Sequence, residues 1–136
     1  MKIYIASFFD TKDRILPYVA KIRDMGYPQN PRYYELTSTW LNETHTGELS
    51  EGMKNWYGYR DLRELDYSDL LIIDTFDETP RGGREVEMGY CMGRGIHVWV
   101  VGPMRNVFHR LADIKFASWD EVLKVLEERT YALHNQ

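Results

Sequence analysis

Glu87, Asp61 and Tyr4 stand far apart in the chain, yet their types together suit substitution at the anomeric carbon of a sugar. An ionised glutamate can attack an oxocarbenium-like centre and hold it as a glycosyl ester. A second carboxylate that carries or shuttles a proton assists the departing base. The rings of Phe8, Phe9 and Trp40 supply faces on which a nucleobase stacks. Each residue also has a plainer reading. A carboxylate near a helix start commonly caps or is solvated, Tyr4 in a strand and the three aromatics belong to a core, and Asp61 on a helix is a surface charge.

The stretch from Asp69 to Pro103 has to position the glutamate. Leu70 to Ile73 and Ile96 to Val101 are continuous apolar runs, the pattern of parallel strands buried on both faces. A crossover helix must join them, and Arg84 to Arg94 supplies it. Its apolar side is expected at Val86, Gly89, Tyr90 and Gly93, with Gly95 as the stop. Glu87 then lies near a helix N-terminus above the carboxyl end of a strand, where open α/β sheets bind ligands. The helix dipole is expected to keep its pKa low.

Taken in order, Lys2 to Ala6 is a first strand and Ser7 to Asp10 its loop. Asp10 or Thr11 caps a helix to Met25, starting late near Leu16 or kinking at Pro17. A turn-rich linker over Tyr27 to Arg32 leads to a second strand over Tyr33 to Leu41. A polar loop follows, then a helix from Met53 to Tyr67 packing through Trp56, Tyr59, Leu62 and Leu65. Beyond the fourth strand come a short helix at Asn106 to Leu111, an edge strand at Ile114 to Ala117, and a last helix opened by a capping box at Ser118 to Glu121. This alternation predicts a single α/β domain over residues 1–136. It is a three-layer α/β/α fold around a five-stranded parallel sheet in flavodoxin-like order 2-1-3-4-5. The loops after the first and third strands then face one crevice and bring Tyr4, Ser7, Phe8, Phe9 and Glu87 together, with Asp61 able to look in.

Composition narrows the partners. A formal charge of −4 with scattered Lys and Arg argues against a nucleic-acid surface and for small-molecule ligands. The lone Cys91 forms no internal disulfide, no apolar run is long enough to span a membrane, and the N-terminal apolar stretch is too short for a signal peptide. A cytoplasmic protein is expected. The four histidines show no metal-ligand spacing, and Gly82-Gly83 is no dinucleotide fingerprint, so neither metal nor cofactor is expected.

Glu87-Met88-Gly89-Tyr90-Cys91, followed by Gly95, Val98 and Gly102-Pro103, resembles the nucleophile helix and next strand of nucleoside 2-deoxyribosyltransferases. The related 2′-deoxynucleoside 5′-monophosphate N-glycosidases share that segment. Ile3-Tyr4-Ile5-Ala6 resembles the family's first strand, Asp61 precedes Glu87 by the family's spacing, and Asn106 before Phe108 resembles a segment lent to a neighbouring subunit. The resemblance implies that Glu87 attacks C1′, Asp61 mediates proton transfer with the base, and Tyr4 orients the nucleophile. It implies that Asn106 of a second protomer binds the sugar 5′-hydroxyl in a homodimer or an assembly of dimers, without metal or organic cofactor. Nucleobases and nucleosides or nucleotides would be the small-molecule partners.

One position departs from the pattern. The transferases usually carry an aspartate six residues before the nucleophile, where this chain has Arg81, and the monophosphate hydrolases tend to place a serine there. Arg81, with Arg84 and the amides of Gly82 and Gly83, could bind a 5′-phosphate. Asn106 points instead to a free 5′-hydroxyl. Transfer between bases, hydrolysis of monophosphates and a non-catalytic nucleotide-binding module all remain open at this point.

Overall fold

The computed structural model describes residues 1–25, 33–43, 49–78 and 82–134, with side chains as far as Thr130. Arg81, the whole Tyr27 to Arg32 linker and part of the loop before the second long helix lie outside them. Strands β1 (Lys2–Ala6), β2 (Glu35–Leu36), β3 (Leu70–Asp74), β4 (His97–Val101) and β5 (Ile114–Phe116) form one sheet. All neighbours pair in parallel, in the order β2-β1-β3-β4-β5. Helices α1 (Leu16–Asp24), α2 (Glu51–Asp66), α3 (Gly83–Arg94) and α4 (Trp119–His134) cover it. Every residue of β3 is buried, which is why its sequence is apolar without alternation. The expected fold class and strand order are those observed. No helix among the described residues is long and apolar enough to cross a membrane.

Helix boundaries follow local chemistry. Pro17 sits in the first turn of α1, where its missing N–H costs nothing, so the late start holds and a 3-10 helix over Phe9–Arg14 fills the gap. Ser50 caps α2 by accepting from the Met53 amide. Ser118 accepts from the Glu121 amide while the Glu121 carboxylate takes the Ala117 amide, one residue earlier than in the usual capping box. Gly95 ends α3 in the left-handed conformation with φ 72°.

Three expectations need correction. The second strand is only Glu35–Leu36, because side chains replace the backbone ladder beyond it. Ser38 Oγ accepts from the Ile5 amide and Trp40 Nε1 donates to the Ile5 carbonyl, while a 3-10 helix turns the chain at Thr39–Asn42. On α3 the buried side is Arg84, Met88 and Cys91, and Val86 is 64% exposed. The helix is seated against the sheet by its bulky side chains, and the glycine-bearing strip faces away. On α2, Leu62 and Leu65 pack inward, whereas Trp56 and Tyr59 are 58% and 69% exposed.

Asp74, at the carboxyl end of β3, is fully buried. Its carboxylate accepts two bonds from Arg14, one from Trp119 Nε1 and one from the Phe76 amide. The switch point of the sheet is thereby tied to the 3-10 helix after β1 and to α4. Asp74→Ala leaves the Trp119 indole unpaired in the core, while the part-exposed Arg14 regains water. Denaturant unfolding should show a loss of about 2–4 kcal/mol. A loss below about 1 kcal/mol would mean that the node is dispensable.

Candidate active site

The end of β1 with the loop after it, the 3-10 helix at Thr39–Asn42 and the facing surfaces of α2 and α3 enclose a cleft with two lobes, and the loop after β3, expected to face the same crevice, contributes no lining residue among those described. The inner lobe, about 270 Å³, is lined by Tyr4, Ser7, Phe9, Trp40, Tyr57 and Arg60 among others. An outer groove of about 440 Å³ between α2 and α3 is lined by Lys54, Asn55, Gly58, Tyr59, Leu62 and Val86. Asp61, Gly83 and Glu87 belong to both lobes. The two helices are held face to face by Tyr90 Oη, 2.8 Å from the Asp66 carboxylate, and by the Arg94–Asp66 pair at 3.2 Å.

Glu87 lies at the floor of this junction, where the fully buried Tyr4 brings its hydroxyl to 3.5 Å from Oε1. Burial pushes the Glu87 carboxyl up to about 8, the negative charge of Asp61 adds to the rise, and the Tyr4 hydroxyl opposes it. The expected low pKa is therefore reversed. Glu87 sits in the second turn of α3, beyond the free amides of the first turn where a helix dipole acts most strongly. Tyr4 is itself held far above the ordinary phenol range, by burial first and then by Glu87 and Asp61. Asp61 is raised by burial, against the opposing bonds from Arg60 to its Oδ1 at 2.9 and 3.2 Å.

Of the residues expected at the site, Tyr4, Ser7, Phe9, Trp40, Asp61, Gly83 and Glu87 line the cleft. Trp40 is only 7% exposed and its ring meets Phe9 at a centroid distance of 6.2 Å, so these two form a wall rather than a free platform. Phe8, Asn106 and Phe108 are not among its lining residues. Within the chain, Asn106 Oδ1 caps the 3-10 helix Val107–Leu111 and its Nδ2 donates to Glu85, while Phe108 is 59% exposed. Arg81 lies outside the described residues. Asp77 and Glu78, in the loop after β3, are engaged elsewhere, with Thr11 and Arg14 and with Arg105 respectively. Hydrogen bonding from Thr11, and then Arg14, holds Asp77 below the usual carboxylate range.

Sequence reasoning overlooked Glu43, Tyr57 and Arg60. Their only signal was spacing: Tyr57 and Arg60 fall on the same side of α2 as Asp61 and Glu64. Two further groups bear on ligands. Ser7 Oγ and Arg84 Nε are buried and have no hydrogen-bond partner among the described residues, and both residues line this cleft. Arg84 is otherwise held by Nη1, which donates to the carbonyls of Asp74 and Asp77 at 2.9 Å each.

The backbone can now be compared with solved structures. A 2-deoxyribosyltransferase from Bacillus psychrosaccharolyticus superposes with a TM-score of 0.72 at 20% identity, covering 93% of this chain and 96% of that one. The chain has the fold of that 2-deoxyribosyltransferase. A conserved protein from Enterococcus faecalis gives a TM-score of 0.73 at 17% identity, with 95% and 98% covered. A CMP N-glycosidase from Clostridium botulinum gives 0.58 at 14%, with 93% and 98% covered. No family model matches the sequence, and neither does any curated relative. At these identities the deoxyribosyltransferase-like fold is what the likeness establishes.

Burial of Glu87 has a consequence for stability. A carboxyl raised to about 8 favours folding fully below the ordinary carboxylate range, and that contribution is lost as pH climbs through about 8. Glu87→Gln keeps the shape and removes the titration. Its unfolding free energy should gain on wild type by on the order of 2 kcal/mol between about pH 5 and about pH 9. A difference independent of pH would mean that Glu87 ionises like a surface carboxyl.

Proposed function

We propose that the chain cleaves the N-glycosidic bond of 2′-deoxyribonucleosides through a deoxyribosyl ester of Glu87 and passes the sugar to another nucleobase. The observation that carries this reading is the Tyr4 hydroxyl 3.5 Å from Glu87 Oε1, with Asp61 on the same cleft. Tyr4 engages Oε1, leaving the other oxygen for C1′. Once ionised, that oxygen bonds to C1′ as the C1′–N bond breaks, and the bond's electron pair leaves with the base. Asp61, or water that it orders, returns a proton to that nitrogen. A second base then attacks C1′ from the face the first one left, and the ester opens to restore the glutamate. The inner lobe, with Phe9, Trp40 and Tyr57, is the place for the base.

A second reading has its own support. Ser7 Oγ and Arg84 Nε, both buried and unpartnered among the described residues, suit a 5′-phosphate, which would make monophosphates the substrate, as for a hydrolase with water as acceptor. A homodimer, or an assembly of dimers, sharing sites belongs to the first reading. Exposed Val107, Phe108 and Leu111 beside Asn106 favour such a face, though Asn106 must release Glu85 to reach a neighbour's sugar. A single cytoplasmic domain without metal or cofactor completes the proposal.

Chromatography of reactions offering a deoxynucleoside and a second free base should reveal a new deoxynucleoside. Glu87→Ala should lower its formation by at least about 10³-fold. Binding with no turnover in wild type would leave only the nucleotide-binding module.

The phosphate reading is tested separately. If Ser7 meets a phosphate, Ser7→Ala should cost about 10–100-fold in kcat/KM with deoxynucleoside monophosphates and leave free nucleosides within about 2-fold. Equal losses on both would exclude the phosphate contact.

A further inference from the structure

Three carboxylates, Glu43, Asp61 and Glu87, line the inner lobe together with Arg60, which also has Glu64 beside it. Its guanidinium folds back along α2, 4.7 Å from the centre of the Tyr57 ring and 5.3 Å from that of Trp56. It donates through Nη1 to Glu43, and through Nε and Nη2 to Asp61 Oδ1, with Glu64 at 4.0 Å. Its side chain is 16% exposed. Such a guanidinium is held on three sides and can scarcely swing away. Asp61 Oδ2 has no hydrogen bond among the described residues, so Arg60 occupies one oxygen of Asp61 and leaves the other available to a ligand.

We infer that Arg60 is a positioning residue for Asp61: its fork fixes the carboxylate by Oδ1 so that Oδ2 meets the base as the glycosidic bond breaks. This rests on the catalytic reading above and deepens it. A neighbouring carboxylate without this clamp would rotate freely. The clamp gives Asp61 a single orientation. Lysine cannot reproduce it, because an ammonium is a point charge without the fork.

The role has a signature that structural damage lacks. A natural base needs a proton as it leaves, whereas 4-nitrophenolate leaves without one. Disturbing Asp61 must therefore harm deoxynucleosides and spare a 4-nitrophenyl 2-deoxyriboside. The full chain is assayed on both substrates, and the ratio of the two activities is independent of how much protein is folded. Arg60→Gln should lower kcat for deoxynucleosides about 10–100-fold while the nitrophenyl glycoside stays within about 3-fold. Arg60→Lys should show the same skew, more weakly. Asp61→Asn should match Arg60→Gln in kind, and the double variant should fall no more than about 3-fold below Asp61→Asn, since both act through one carboxylate. Equal losses on both substrates, additive losses in the double variant, or a rise in KM with kcat unchanged would overturn the role. An inactive wild type, or activity that survives Glu87→Ala, would overturn the catalytic reading as well. Activity abolished by Glu87→Ala together with an unchanged ratio in Arg60→Gln overturns the Arg60 role alone.

Discussion

The buried carboxylate of Asp74 is the interaction on which the site depends. It ends β3 at the switch point of the sheet, where the chain must leave the core and turn toward α3. A charge there is tolerated because Arg14 meets it with both terminal nitrogens, and Trp119 and the Phe76 amide donate to it as well. One residue thereby joins β3 to the 3-10 helix after β1 and to α4.

The chain from Asp74 to Asp77 is fixed by its own carbonyls. Arg84 takes those of Asp74 and Asp77, and Arg105 takes those of Thr75 and Phe76. Gly102, at φ 116°, lets β4 end against Thr75; a Cβ there would lie 2.6 Å from Thr75 Oγ1. Glu85, in the first turn of α3, is bonded to both Asn106 and the buried His109. The amino end of α3 is thus anchored on two sides, and Glu87 is presented from a rigid turn rather than from a mobile loop. Rigid placement of the first groups around a reacting atom is what a displacement reaction needs.

The cleft concentrates negative charge instead of dispersing it. Burial raises both Glu87 and Asp61; the charge of Asp61 adds to the rise at Glu87, and the charges of Glu64 and Glu43 add to that at Asp61. The two carboxyls line one cleft as a pair. Tyr4 holds one member and Arg60 the other, which separates two otherwise similar side chains into different surroundings.

Much of this was legible in the residues themselves. Apolar runs at Leu70 to Ile73 and Ile96 to Val101, punctuated by Gly95, determined parallel buried strands and the helix between them, because only fully buried strands dispense with polar alternation. The resemblance carried by Glu87, Asp61 and Tyr4 placed them at one site, and the cleft contains them all. Tertiary structure alone decided the rest. Trp40 and Ser38 bond to β1 through their side chains, which no propensity for strand records, so β2 stops at Leu36. Val86 faces outward because α3 is seated by Met88, Cys91 and a buried arginine, and periodicity cannot say which of two stripes meets the sheet. Arg60 entered the site, and Glu87 lost its ordinary acidity, through neighbours brought together only by folding. A sequence fixes the order of charges, but their burial and mutual distance, which set the electrostatic energies, exist only in the folded chain.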